Sequence, residues 1–227
     1  MQIEERSYSG RLFRPRPEIF CDPNGSMCIV ATPWGGRGAA KRAIQTIQDY
    51  FISAKSDREV TSPFQPLTCL SAAGNNLRVS IMLANDVLYR EENRDQFHSG
   101  VELFVCVRDQ SECAWTLIGS PSVYLARKGM NFRALDDGRD LSGFYSTSER
   151  VLAPLPQTLL GVAATSNFAV HSMPIRRGDQ LVLLSRTLVP AKFLTFGKSG
   201  WSLQEMSSLL AKHSLEMPFW MGILNFD

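Results

Sequence analysis

The sequence predicts an α+β fold, on three observations. Two stretches in the first 91 residues carry apolar side chains at helical spacing. From residue 100 the chain changes to short segments rich in β-branched and aromatic residues, separated by turn residues. These two textures are segregated and do not alternate, which argues for antiparallel sheets with helices outside them and against a doubly wound parallel sheet.

The elements follow in order. Residues 9–20 read as extended, because Pro15 and Pro17 disfavour helix. Ser26–Ala31 reads as a short apolar strand and PWGGRG as a glycine-rich turn. Ala39–Ala54 reads as a helix striped by Ala40, Ala43, Ile44, Ile47, Phe51 and Ile52. Residues 55–63 are polar, contain Pro63 and form a loop. Gln65–Glu91 reads as a longer helix striped by Leu67, Leu70, Leu77, Ile81, Ala84 and Leu88, with Gly74-Asn75-Asn76 as a weak point in its middle.

Val101–Arg108, Ala114–Ile118 and Ser122–Arg127 are strands, and Lys128-Gly129 is a turn into another short one. Residues 136–158 form a long polar loop, in which 139–150 (RDLSGFYSTSER) is either plain surface or a partner-binding or phosphorylated flap. Phe168–Pro174 and Gln180–Leu184 are expected to pair with each other. Ser202–His213 is a helix whose cap, Ser202, is followed three residues later by Glu205, a capping-box pattern. Phe219–Phe226 closes the chain as an apolar strand. With no internal repeat, residues 1–227 are expected to form a single domain.

Composition narrows the function. A hydrophobic fraction of 44% and a charged fraction of 20% suit a globular protein with a sizeable core. The net charge of +2 argues against a nucleic-acid or membrane-surface binder. No apolar run approaches the roughly 18–20 residues that span a bilayer, and MQIEERSYSGRLFRPRP lacks a signal-peptide core, which points to the cytoplasm. The five cysteines (Cys21, Cys28, Cys69, Cys106, Cys113) are odd in number and include no C-x-x-C pair, so buried reduced thiols are expected. His98, His171 and His213 are scattered, and no G-x-S-x-G elbow is present.

The stretch Ile175–Leu188 (IRRGDQLVLLSRTL) is the most informative. Its Gly-Asp turn leads into an apolar run from Leu181 to Leu184 and ends in Ser185-Arg186-Thr187, the pattern of a buried strand. This strand resembles one in the metal-dependent, PPM-type Ser/Thr protein phosphatases, where the run ends in Ser-Asp-Gly and the Asp holds a catalytic metal. Here Arg186 stands at the Asp position and Thr187 at the Gly position.

The resemblance extends along the chain. Val30 to Ala40 fits the family frame of a strand leading into Asp-Gly-x-Gly-Gly and a helix; Gly35 and Gly36 keep the glycine pair, while Thr32 and Pro33 replace the Asp and Gly. Gly119-Ser120-Pro121-Ser122-Val123-Tyr124 fits a Gly-Asp-Ser-Arg-x-Tyr segment, with Ser120 at the Asp position, and the Arg127-Lys128-Gly129 turn follows it. Residues 154–161 (PLPQTLLG) also look like the family. Met217-Pro218-Phe219-Trp220 stands where the family opens its last strand with Asp-Asn-x-Thr. Arg14 or Arg16 matches a phosphate-binding Arg, with Glu18 or Asp22 as the acid after it.

The resemblance implies an α-β-β-α sandwich of two antiparallel sheets flanked by helices. It also implies that the usual chemistry is absent. Two divalent ions need several hard oxygen ligands held together, and three expected acids read Thr32, Arg186 and Met217. A guanidinium has only donors and a fixed positive charge, so it cannot ligate a cation.

The expectation is a pseudophosphatase with no cofactor and no metal, acting as a regulatory or protein-binding module for a phosphoprotein or a kinase. Its degenerate, anion-binding cleft comprises Arg14, Arg16, Thr32, Gly35, Gly36, Arg37, Ser120, Arg186 and Met217. Arg186 either replaces the lost metals with a fixed cation or pairs with a structural acid or solvent. Gly35 to Gly38 precede a helix and favour an anion, or are simply a tight turn. Trp34 either anchors a partner or fills volume, as Trp220 and Met217 do. Two other readings stand beside this one: an active phosphatase using Glu18, Asp22 or Asp49, and a structural subunit of a larger assembly.

Overall fold

A computed structural model describes residues 1–56, 64–138, 140–147, 150–186, 188–199 and 202–226. The loop at 57–63 with Pro63, and Arg139, Ser148, Glu149 and Thr187, lie outside the described residues. In chain order the elements begin with β1 (Gln2–Tyr8), β2 (Glu18–Cys21) and β3 (Met27–Gly35), then the helices α1 (Gly38–Ser56) and α2 (Ala72–Leu88) with a π-helical turn over Tyr89–Asn93. A meander follows: β4 (Ser99–Asp109), β5 (Glu112–Ile118), β6 (Ser122–Ala126) and β7 (Arg133–Asp136). After the single turn α3 (Ser142–Tyr145) come β8 (Val170–Pro174), β9 (Gln180–Ser185), the short α4 (Ala191–Leu194) and α5 (Phe196–Ser199), α6 (Leu203–His213) and β10 (Phe219–Asn225).

The expected α+β class and the two antiparallel sheets are both present. One five-stranded sheet runs β1-β10-β9-β6-β7 and the other β2-β3-β4-β5-β8. Each belongs to its own compact unit: residues 1–16, 119–158 and 175–227 form one, and residues 17–118 and 159–174 the other.

In the β2-to-β8 unit, alternation along the strands decides which side chains meet the helices. Ile29 and Ala31 of β3 and Leu103, Val105 and Val107 of β4 pack with Ala43, Ile47 and Phe51 of α1 and Leu77, Ile81 and Leu88 of α2. Residues 159–164 are fastened by two asparagines. Asn85 Nδ2 donates to the Ala163 and Ala164 carbonyls while its Oδ1 accepts from Gly161 N–H. Asn93 Nδ2 donates to Ser99 O and Gly161 O, and its Oδ1 accepts from the N–H groups of His98 and Ser99, so all four of its hydrogen-bonding positions are filled. In the β1-to-β10 unit, Val182 and Leu184 of β9 and Phe219, Met221 and Ile223 of β10 pack with Phe193, Met206 and Leu210. The capping box of α6 is present as expected: Ser202 Oγ accepts from Glu205 N–H and Glu205 accepts from Ser202 N–H.

Several expectations need correction. Phe168–Pro174 and Gln180–Leu184 do not pair: β8 pairs with β5, and β9 lies between β10 and β6 in the other sheet. The PWGGRG turn is mostly strand, since β3 continues to Gly35. Proline is tolerated there because β2 pairs with β3 only as far as Ala31, leaving Pro33 on an edge. The second helix starts at Ala72 and not at Gln65, so Leu67 and Leu70 fall outside it. Pro66 opposes an earlier start, and Asn75 ties down the approach by accepting from Leu67 N–H and donating to the carbonyls of Leu67, Leu70 and Ser71. Ile52 is 66% exposed and leaves the α1 stripe. Cys69 is exposed and Cys21 half-buried, whereas Cys28, Cys106 and Cys113 are buried as expected. Strand β1 went unrecognised, because its polar sequence QIEERSY, mostly exposed along the sheet edge, carries no apolar alternation. Among the described residues no helix is long and apolar enough to cross a membrane.

Candidate functional site

The Gly-Asp turn before β9 is rigidly built. Gly178 adopts φ +84°, which glycine tolerates. Asp179, 2% exposed, accepts from Arg127 Nε at 2.8 Å, from Arg127 Nη2 at 2.7 Å and from Arg176 N–H at 2.9 Å. The Arg127 guanidinium holds this carboxyl below the usual carboxylate range. The turn thereby sets the start of β9 against β6, where Arg127 follows the last residue of the strand.

At the other end of β9 stand Ser185 and Arg186. Ser185 is the register partner of Trp220 on β10, and its hydroxyl accepts from Ser120 Oγ at 2.9 Å. Trp220 is buried and donates its indole N–H to Glu5 on β1. Arg186 is only 6% exposed. Its Nε donates to Leu188 O at 2.7 Å, and its guanidinium carbon lies 5.5 Å from the centroid of the Phe219 ring. Phe219 in turn stacks on Tyr8 with centroids 5.5 Å apart. Among the described residues, both terminal nitrogens, Nη1 and Nη2, are buried without a hydrogen-bond partner. Burial pushes the guanidinium down to about 10, so it remains charged at neutral pH. A buried cation with both terminal nitrogens unsatisfied is costly unless something else completes it.

The expected site residues divide between the two units. Arg14, Arg16, Ser120, Arg186 and Met217 belong to the unit of β9 and β10. Ser120 and Arg186 are brought to the same strand end through Ser185; Met217 is buried two residues before β10; Arg14 is half-buried and Arg16 exposed. Thr32, Gly35, Gly36 and Arg37 belong to the other unit. Thr32 is buried within β3, whereas Gly35 at the end of β3 and Gly36 and Arg37 between β3 and α1 are exposed, and Trp34 is half-buried. Gly35 has a strict requirement: at φ +89° an added Cβ would lie 2.2 Å from the backbone oxygen of His98. Gly35→Ala is therefore expected to destabilise the protein by about 2 kcal/mol or more, as read by urea melts against the wild type.

One buried acid escaped the sequence reading. Glu102 on β4 is 1% exposed and is the register partner of Thr32. The available signal was an acid inside the otherwise apolar strand VELFVCV, since charges in buried strands are rarely structural filler. Asp22 accepts from Ser26 in a turn, Asp49 accepts from Gln45 on the exposed side of α1, and Glu18 is exposed.

A two-metal centre of the kind the sequence resemblance implies does not fit these residues. Thr32, Arg186 and Met217 supply a hydroxyl, a cation and a thioether where carboxylates are needed. Among the described residues no group of three or more His, Cys, Asp or Glu side chains is placed to hold a metal ion.

Neither a family model nor a curated protein sequence matches the chain. Solved structures do. The PPM Ser-Thr phosphatase MsPP from Mycobacterium smegmatis, solved in complex with cacodylate, superposes with a TM-score of 0.68 at 16% identity, covering 100% of this chain and 99% of that one. PppA, described as a key regulatory component of T6SS in Pseudomonas aeruginosa, gives 0.67 at 15% identity, covering 99% and 96%. The serine/threonine phosphatase PstP of Mycobacterium tuberculosis gives 0.66 at 14% identity, covering 100% and 98%. Along its whole length, the chain has the fold of the PPM-type Ser/Thr phosphatases.

Proposed function

We propose that this chain is a cytoplasmic, catalytically inactive PPM-fold module. In this reading it binds and regulates a protein partner, a phosphoprotein or a kinase, and Arg186 supplies the anion contact. One observation carries the reading: the strand-end position that resembles a metal-holding aspartate is filled by a buried guanidinium whose two terminal nitrogens meet no hydrogen-bond partner among the described residues. A fixed cation there opposes the binding of a divalent ion by simple repulsion. The same planar fork suits a phosphoryl group, which accepts two parallel N–H···O bonds. Two of the similar structures support the idea. MsPP holds cacodylate, a tetrahedral oxyanion, on this fold, and PppA has a regulatory role. Fold alone would not carry the function.

The test is a calorimetric titration of the purified protein with Mn²⁺ and Mg²⁺, followed by a p-nitrophenyl phosphate assay on the same sample. The expected result is no saturable metal binding and no turnover. Saturable binding accompanied by turnover would mean that other acids rebuild the centre, with Glu102 the first to substitute. A role as a structural subunit would show itself differently, as partner binding that is unchanged by Arg186→Ala.

A further inference from the structure

Four of the five cysteines lie on one face of one sheet. Cys21 on β2 is the register partner of Cys28 on β3, and Cys28 is the partner of Cys106 on β4. Cys113 on β5 is the partner of Arg108, two residues along β4 from Cys106, and so lies diagonal to it. Register partners share a sheet face. The four thiols therefore form a row across four strands, on the face opposite Ile29, Val105, Val107 and Ala114, which pack with the helices.

The row contains two close pairs. The Sγ atoms of Cys21 and Cys28 are 3.1 Å apart, and so are those of Cys106 and Cys113. No atom fits between sulfurs at that separation. A disulfide, at about 2.0 Å, needs only about 1 Å of approach. The pairs differ in access. Cys106 and Cys113 are both fully buried, whereas Cys21 is half-buried on the edge strand β2 with the fully buried Cys28 behind it. The hydrogen bond between the two thiols pulls Cys21 below the usual range, while that same contact and burial push Cys28 far above it. An accessible, more acidic thiol backed by a protonated one is the arrangement of an attacking and a resolving cysteine.

We propose that Cys21 and Cys28 form a redox-active dithiol site that takes a hydroperoxide as its substrate and closes to a cross-strand disulfide. The Cys21 thiolate attacks one peroxide oxygen; an S–O bond forms, the O–O bond breaks, and the leaving oxygen departs as water or an alcohol after taking up the Cys21 proton. Cys28 then attacks the sulfenic sulfur; the S–S bond forms, the S–O bond breaks, and hydroxide leaves as water with the Cys28 proton. The two thiols lose two electrons and the peroxide gains them. A dithiol reductant reverses the step by exchange.

The experiment treats the reduced, full-length protein with a small excess of hydrogen peroxide, then counts thiols after denaturation and maps tryptic fragments. Arg14 and Arg16 both precede proline, so residues 12–37 form one fragment carrying Cys21 and Cys28. The expected result is the loss of two thiols per chain and a fragment lighter by two hydrogens, both restored by dithiothreitol. Cys28→Ser is expected to stop at a Cys21 sulfenic acid that dimedone traps. Cys21→Ser, at a half-buried edge position, provides the second readout, and oxidation of the 12–37 fragment is expected to slow roughly tenfold or more. The proposal is overturned if the fragment keeps its mass while Cys69 is consumed. It is equally overturned if the disulfide joins Cys106 to Cys113 instead, or if Cys21→Ser leaves oxidation of Cys28 as fast as before.

Discussion

Arg186→Met is expected to make the protein more stable and, in the proposed reading, to abolish oxyanion binding. The wild-type guanidinium is 6% exposed, keeps its charge and, among the described residues, leaves Nη1 and Nη2 without partners. Among the described residues its favourable contacts are one bond to Leu188 O and the face of Phe219. Methionine has a similar reach, packs against the same ring and carries no charge to desolvate. Replacing a poorly compensated buried ion by an apolar side chain stabilises by about 1–2 kcal/mol, which for a chain of this size raises Tm by about 2–8 °C. Thermal melts of the two proteins decide the matter. A variant that melts several degrees lower would mean that the guanidinium is held by a carboxylate, because removing one partner of a buried pair destabilises. Phosphate titrations of the same samples separate function from stability: the variant is expected to lose binding while folding better.

Asp179→Ala is expected to have the largest effect on folding. Three hydrogen bonds converge on this carboxylate, two of them from one guanidinium. Truncation leaves Arg127 facing a gap and frees the turn that starts β9. Asp179 is buried but Arg127 is 28% exposed and can be rehydrated, so losing the carboxylate costs about 2–3 kcal/mol, a fall in Tm of about 4–12 °C. The pair also has a pH signature. The folded carboxyl is depressed below its unfolded value, so its stabilisation is fully present above the unfolded pKa of about 4 and is lost as pH falls through the folded pKa. Urea midpoints measured from pH 6 downward should therefore drop more steeply for the wild type than for Asp179→Asn, which has no charge to lose. Parallel curves would contradict this role for the pair.

These two residues also show how much could be read from the sequence. The Gly-Asp turn and the run Leu181–Leu184 announced a buried strand, since four consecutive apolar residues after a turn put apolar side chains on both faces of an extended chain, and β9 lies at the centre of its sheet. The place of that strand could not be read, because pairing is set by distant partners: the nearest strand, β8, joins the other sheet. The start of α2 was missed for a similar reason. Leu67 and Leu70 continue the helical spacing by coincidence, while Pro66 and the Asn75 side chain hold the backbone out of the helix. Of the candidate site, the substitution at Arg186 was legible, since residue identity alone decides whether a side chain can ligate a cation. Its placement over Phe219 and its unpartnered nitrogens were not, and neither was the burial of Glu102 opposite Thr32. The thiol row was equally hidden. Cys21, Cys28, Cys106 and Cys113 have no motif spacing and meet only through strand register.

In the proposed reading a fixed cation stands where metal ligands would be expected and binds an oxyanion by itself. The most direct measurement is a calorimetric titration of the wild-type protein with inorganic phosphate in the presence of EDTA, repeated on Arg186→Met. The expected result is saturable binding to the wild type without any metal and none to the variant. Binding that requires added Mn²⁺, or that survives in Arg186→Met, would contradict it.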